Sequence, residues 1–134
     1  MSTIVIVGAG YGLGLPVARV FGHKGFNVAM IARDQRRLDE MVARLAAENI
    51  PASGHAADVL DPDAVHAAFA QITDRFGQVE VLEYSVVPRH TAANGHRVGA
   101  VDVTMDALRP YLDLCLGGAI TVVREVLPGM IERD

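Results

Sequence analysis

Short runs of β-branched residues alternate along this chain with longer stretches whose apolar positions recur every three or four residues. Residues 3–8, TIVIVG, form a continuous apolar run, the pattern of a strand buried on both faces. Leu15, Ala18, Val20 and Phe21 then fall at near-helical spacing, and the pattern stops at Gly25, a residue suited to a helix C-terminus. Residues 26–32, FNVAMIA, predict a second strand. Leu38, Met41, Val42 and Leu45 form the apolar stripe of an amphipathic helix, with Asp34 as its N-cap. Residues 51–58, PASGHAAD, give the weakest strand signal. Asp61 is placed to cap a third helix, with Pro62 at its first position and Gly77 at its end. Residues 79–86, VEVLEYSV, predict a fourth strand. An irregular loop follows, and then a helical region from about residue 104 to residue 132.

This alternation of strand and helix predicts an α/β fold with a parallel sheet covered by helices on both faces. Right-handed crossovers and a glycine loop after the first strand make it a doubly wound, Rossmann-type sheet. Four such strands are expected in the order 3-2-1-4, with a ligand crevice between the ends of strands 1 and 4. At 134 residues the expectation is one domain, residues 1–134, with a long C-terminal helix. A net charge of −4 leaves no electrostatic footprint for nucleic acid. The single cysteine, Cys115, excludes an intrachain disulfide and suits a reducing compartment; its apolar helix predicts a buried packing role. The first residues lack a basic segment, and no run of 18 apolar residues occurs. These features point to a cytoplasmic protein without signal peptide or membrane span.

Glycines at positions 8, 10, 12 and 14 raise the question of chemistry. A P-loop needs Lys and Ser/Thr after its last glycine, and Leu15 and Pro16 stand there instead. The G-x-G-x-x-G fingerprint begins at Gly8 and Gly10 but meets Leu13 at its third glycine, and the register one step on meets Leu15. A different spacing does close. Gly8, Gly12, Leu13 and Gly14 follow Gly-x-x-x-Gly-(Ile/Leu)-Gly, and with Val7 replacing a threonine the loop resembles that of the short-chain dehydrogenase/reductases. The resemblance implies that Gly8 frees the backbone at the strand exit and that Gly12 lets it approach a dinucleotide pyrophosphate. It implies that Gly14 lets the first helix pack closely, its N-terminus offering amides to the phosphates. Gly10 has no assigned role.

The same resemblance extends along the chain. NAD-using members of the family place an Asp at the end of strand 2, where Ala32 stands here, followed by Arg33. An arginine there can pair with a 2′-phosphate, so the expected cofactor is NADP(H), with NAD(H) second. Asp34 is assigned to the helix cap. Asp58 and Val59 match the family's Asp-Val pair, whose carboxylate accepts from the adenine amino group. The family's Asn-Asn-Ala-Gly is replaced by Tyr84, Ser85, Val86 and Val87, among which Ser85 offers a hydroxyl near the cofactor ribose. In the last helix Gly118, Leu127, Pro128 and Met130 match, while Cys115 occupies the place of an asparagine.

The family's reaction is hydride transfer between nicotinamide and a carbonyl or alcohol, using a Ser, a Tyr-x-x-x-Lys pair and that Asn. Lys24 is the only lysine, and none of Tyr11, Tyr84 or Tyr111 is followed by Lys four residues on. No catalytic residue is therefore expected within this sequence. A non-catalytic dinucleotide sensor or interaction module, or a truncated fragment of a complete reductase, stand as alternatives. The histidines, His23, His55, His66, His90 and His96, show no metal-ligand spacing, and no metal site is expected. Ser53 and Ser85 lack the context of a nucleophile elbow. The last helix carries two apolar stripes: Leu112, Leu116, Ile120, Val123 and Leu127, then Tyr111, Cys115, Val122, Val126 and Met130. Such a helix needs cover on more than one side, which predicts a homo-oligomer, or pairing with another polypeptide, through this helix or the strand-4 edge.

Overall fold

A computed structural model describes residues 1–88 and 100–133. The elements run β1 (Thr3–Val7), α1 (Gly14–His23), β2 (Asn27–Ala32), α2 (Gln35–Ala47), β3 (Ala52–Ala56), α3 (Pro62–Phe76), β4 (Val81–Tyr84), α4 (Met105–Tyr111) and α5 (Gly118–Ile131). A π-helical turn, Leu112–Gly117, joins the last two helices into one rod. All strand pairs are parallel, in the order β3-β2-β1-β4. The β-α alternation therefore forms the predicted sheet, including the weakly signalled third strand. β4 is shorter than the apolar run 79–86, because its ladder with β1 ends at Val7 opposite Tyr84, where Gly8 turns the chain away.

Every residue of β1 is buried, and successive side chains feed opposite cores. Ile4 and Ile6 join Val28, Met30, Leu38, Met41 and Leu45 under α1 and α2. Val5 and Val7 join Ala29, Ile31, Val65, Phe69, Ile72, Val122 and Val126 under α3 and α5. Helix ends follow their local chemistry. Asp34 accepts from the Arg37 amide, and Asp61 accepts from the amides of Asp63 and Ala64. After α1 the chain turns at Gly25 with φ of +89°, and the amides of Gly25 and Phe26 bond back to Gly22 and Phe21. The Phe21 and Phe26 rings meet edge to face across this turn.

The C-terminal rod departs from regular helical spacing. Pro110 cannot donate a hydrogen bond, and the wider turn follows directly upon it. Val122 and Val126 pack on the core, whereas Leu112, Leu116, Ile120, Val123 and Leu127 all stay exposed. The π turn also reassigns Cys115. Expected to be buried, it is exposed, its thiol near the Val86 carbonyl at 3.7 Å, because the extra residue in the turn carries it off the packed face. Met105–Ile131 has, by length and composition alone, what a membrane crossing needs, with a mean hydropathy of 1.5, while Val122 and Val126 of the same rod are buried in the core under the sheet.

Candidate functional site

In-register pairing brings the carboxyl ends of the strands level, with Val7 beside both Ile31 and Tyr84 and Ala32 beside Ala56. The residues that leave those ends are tied together by the backbone. The amides of Gly8 and Ala9 both donate to the Ile31 carbonyl, Ala57 donates to Ala32, and Ser85 donates to Val7. Above them lies a cavity of about 310 Å³. This is the crevice outside the strand ends that a doubly wound sheet creates where its order reverses.

Six of the eight residues singled out from the sequence line this cavity: Gly8, Gly12, Arg33, Asp58, Val59 and Ser85. Leu13 and Gly14 do not. Leu13 precedes α1 with an exposed side chain, and Gly14 lies buried behind the loop. The glycines divide by their surroundings. Gly8 has φ of +88°, and a Cβ there would stand 2.8 Å from the Val86 nitrogen and 2.9 Å from the Ser85 carbonyl carbon. At Gly14 a Cβ would stand 2.8 Å from the Ala9 Cα, so the close approach is to the loop itself rather than to a strand. At Gly10 and Gly12 a Cβ would meet nothing within 4 Å. The loop is closed by the Leu15 amide on the Gly10 carbonyl, while the amides of Gly10, Tyr11 and Gly12 donate to no protein acceptor among the described residues. Unpaired amides in a loop flanked by glycines, next to a helix N-terminus, are groups that can take an anion.

The other walls carry polar groups. Ala32 is small and half-buried, and exposed Arg33 follows it. Asp58 uses one carboxylate oxygen to accept from the Leu60 amide at 3.0 Å, so it is a turn residue as well as a wall residue. The Ser85 hydroxyl donates to Glu83 at 3.2 Å, and burial pushes the Glu83 carboxyl up from its ordinary pKa while that bond opposes the shift. The Tyr84 hydroxyl donates to the Leu114 carbonyl in the π turn, which sets Leu114 in the cavity wall. Burial, with a smaller contribution from Cys115, pushes Tyr84 up to about 12. A Cβ on Gly118 would run into the Tyr84 hydroxyl, which accounts for a glycine at that place.

Sequence reasoning left out several wall residues: Tyr11, Arg37, Val86, Val87 and Leu114. Tyr11 enters the sequence reading only as a tyrosine without a lysine four residues on, and Arg37 falls among the residues between the apolar positions of the second helix. His90 and His96 lie outside the described residues. Among the described residues no cluster of His, Cys, Asp and Glu could hold a metal.

The family model described as short chain dehydrogenase matches residues 2–134. Dehydrogenase/reductase SDR family member 7B of Bos taurus is 30% identical over 138 residues, which cover 98% of this chain and 41% of the relative. Among solved structures, an actinorhodin polyketide ketoreductase with NADPH superimposes with a TM-score of 0.85 at 25% identity, over 98% of this chain and 49% of that one. L-Sorbose reductase from Gluconobacter frateurii, complexed with NADPH and L-sorbose, gives a TM-score of 0.79 at 26% identity, over 98% and 48%. The chain thus spans about half the length, or less, of the proteins it matches.

Proposed function

Because the chain belongs to the short-chain dehydrogenase family, we propose that its cavity binds the ADP portion of NADP(H). In this role the chain is the nucleotide-holding half of an oxidoreductase acting on a carbonyl or alcohol. One observation carries the proposal: residues 10–12, whose amides meet no protein acceptor among the described residues, line a cavity together with Arg33, Asp58 and Ser85. A diphosphate satisfies those amides, with Gly12 giving it room and the α1 N-terminus beyond Leu13 and Gly14 adding its dipole. Arg33 pairs with the 2′-phosphate, Asp58 and Val59 frame the adenine, and Ser85 reaches the ribose. The bound nicotinamide supplies or accepts the hydride. Titrating the chain with NADPH and NADH by fluorescence tests this, with tighter binding of NADPH expected; failure of either to bind overturns it.

For this polypeptide, binding without turnover is the expected behaviour. The family's Tyr-x-x-x-Lys pair has no counterpart among these residues, since Lys24, the sole lysine, sits exposed at the end of α1, apart from the cavity walls. Oxidation of NADPH by a panel of aldehydes and ketones would refute that expectation. The exposed stripe of Leu112, Leu116, Ile120, Val123 and Leu127 supports self-association along the C-terminal rod.

A further inference from the structure

Tyr11 is the only side chain in the glycine loop able to make a directional polar contact, and it is committed to α2 rather than to solvent. Its hydroxyl donates to Glu40 at 2.6 Å, and that bond, first among the causes, holds the phenol above its ordinary pKa. Its ring receives two guanidiniums from the same helix, Arg37 at 5.3 Å and Arg44 at 4.9 Å from the centroid. Both distances lie within cation–π range. Arg37 lines the cavity together with Arg33, Asp34 and Tyr11, whereas Arg44 does not.

The charges around Arg37 are already engaged elsewhere. Asp34 accepts from the Arg37 backbone amide as the helix cap. Glu40 takes the Tyr11 hydroxyl and lies 3.9 Å from Arg36. Among the described residues neither Arg33 nor Arg37 has a carboxylate within ion-pair distance. Two arginines without an ion-pair partner among the described residues thus line one cavity, and one of them lies over an aromatic face. A guanidinium stacked on a ring keeps its five donors in a fixed plane and loses less rotamer freedom when it meets an anion.

We infer that Arg37 is a second guanidinium for the 2′-phosphate beside Arg33, and that Tyr11 is the positioning residue that holds it there. The inference rests on the cavity being an NADP(H) site. It makes the ligand chemistry specific: a phosphate monoester on the adenosine ribose, met by two guanidiniums that line one cavity, with Tyr11 linking the glycine loop to α2.

The test compares dissociation constants of NADPH and NADH, and of 2′,5′-ADP and 5′-ADP, for the chain and its variants, with circular dichroism as the check on folding. Arg37→Ala is expected to weaken NADPH and 2′,5′-ADP about tenfold, the scale of one lost charged hydrogen bond, and to change NADH and 5′-ADP less than about twofold. Arg37→Gln, which keeps the aliphatic stem, should behave alike and stands in if the alanine variant is poorly folded. Tyr11→Leu should lower the NADPH preference about threefold, the scale of an exposed cation–π contact, and Tyr11→Phe should recover most of it. Arg44→Ala, outside the cavity, should leave the preference unchanged. If Arg33→Ala abolishes the preference while Arg37→Ala and Arg37→Gln retain it, the cofactor site stands and the role of Arg37 is overturned. Equal weakening of NADPH and NADH by the Arg37 variants also overturns it. A parent chain that binds neither dinucleotide, or both alike, removes the NADP(H) site and this inference with it.

Discussion

Replacing Gly8 and Gly12 separately by alanine should separate architecture from ligand binding within one loop. At Gly8 the backbone has φ of +88°, where an L residue costs roughly 1–2 kcal/mol. The new Cβ would also stand 2.8 Å from the Val86 nitrogen and 2.9 Å from the Ser85 carbon. Those are backbone atoms tied to β1 through the Ser85 amide and the Val7 carbonyl, so they cannot turn aside as a side chain would. Overpacking of this kind costs about 1–3 kcal/mol, giving roughly 2–5 kcal/mol in total for Gly8→Ala. At about 4 °C per kcal/mol for a domain of this size, the midpoint should fall on the order of 8–20 °C. Gly12 has neither a positive φ nor a heavy atom within 4 Å of its virtual Cβ. Gly12→Ala should therefore be neutral, or stabilise by about 0.4–1 kcal/mol through the unfolded chain. That same free space is where the diphosphate must approach, so NADPH affinity should drop at least about tenfold, or ~1.4 kcal/mol. Thermal melts followed by circular dichroism, paired with fluorescence titration, check both halves. A Gly8→Ala midpoint within about 2 °C of the parent, or a Gly12→Ala loss as large as that of Gly8→Ala, would refute the reasoning.

Tyr84 provides a pH signature: its folded pKa of about 12 exceeds the unfolded value of 10.0. Between those values the folded chain keeps a proton that the unfolded chain has lost, so this contribution to stability is present below pH 10.0 and is lost as pH rises toward about 12. Denaturant midpoints measured across that interval should decline less steeply in Tyr84→Phe. Asp61→Ala removes the acceptor for the Asp63 and Ala64 amides and should cost about 1 kcal/mol by urea unfolding, with no change in dinucleotide affinity. Leu116→Arg with Ile120→Arg alters only the exposed stripe; light scattering after size exclusion should show a shift to monomer without a lower melting midpoint, and a parent chain that is itself a clean monomer would refute self-association.

Much of the fold could be read from local patterns. Asp34, Asp61, Gly25 and Gly77 mark helix ends because capping is a short-range matter of one side chain or one permissive φ. The continuous apolar runs marked β1 and β2 because a strand buried on both faces has no polar positions to spare. The last helix was less legible. Its periodicity placed Cys115 beside Val122 and Val126, but the π turn after Pro110 shifts the phase and exposes the thiol. Gly8, Gly12, Arg33, Asp58, Val59 and Ser85 were singled out through the glycine spacing and the family resemblance, and all six line one cavity. Tyr11 and Arg37 carry no such spacing, and their contact spans a loop and a helix that the sequence keeps 26 residues apart.

By itself, then, the sequence determined the order of elements, their caps and the glycine loop, since each depends on neighbours within a turn or two of chain. Only the tertiary structure decided which glycines are pressed against backbone and which face open space, that the Tyr84 hydroxyl meets the carbonyl of Leu114 in the cavity wall, and that Arg37 lines the same cavity as Arg33 and lies over a tyrosine ring. The physical reason is common to all three. Each is a distance between segments remote in sequence, set by the register of a parallel sheet and the phase of a helix packed across it.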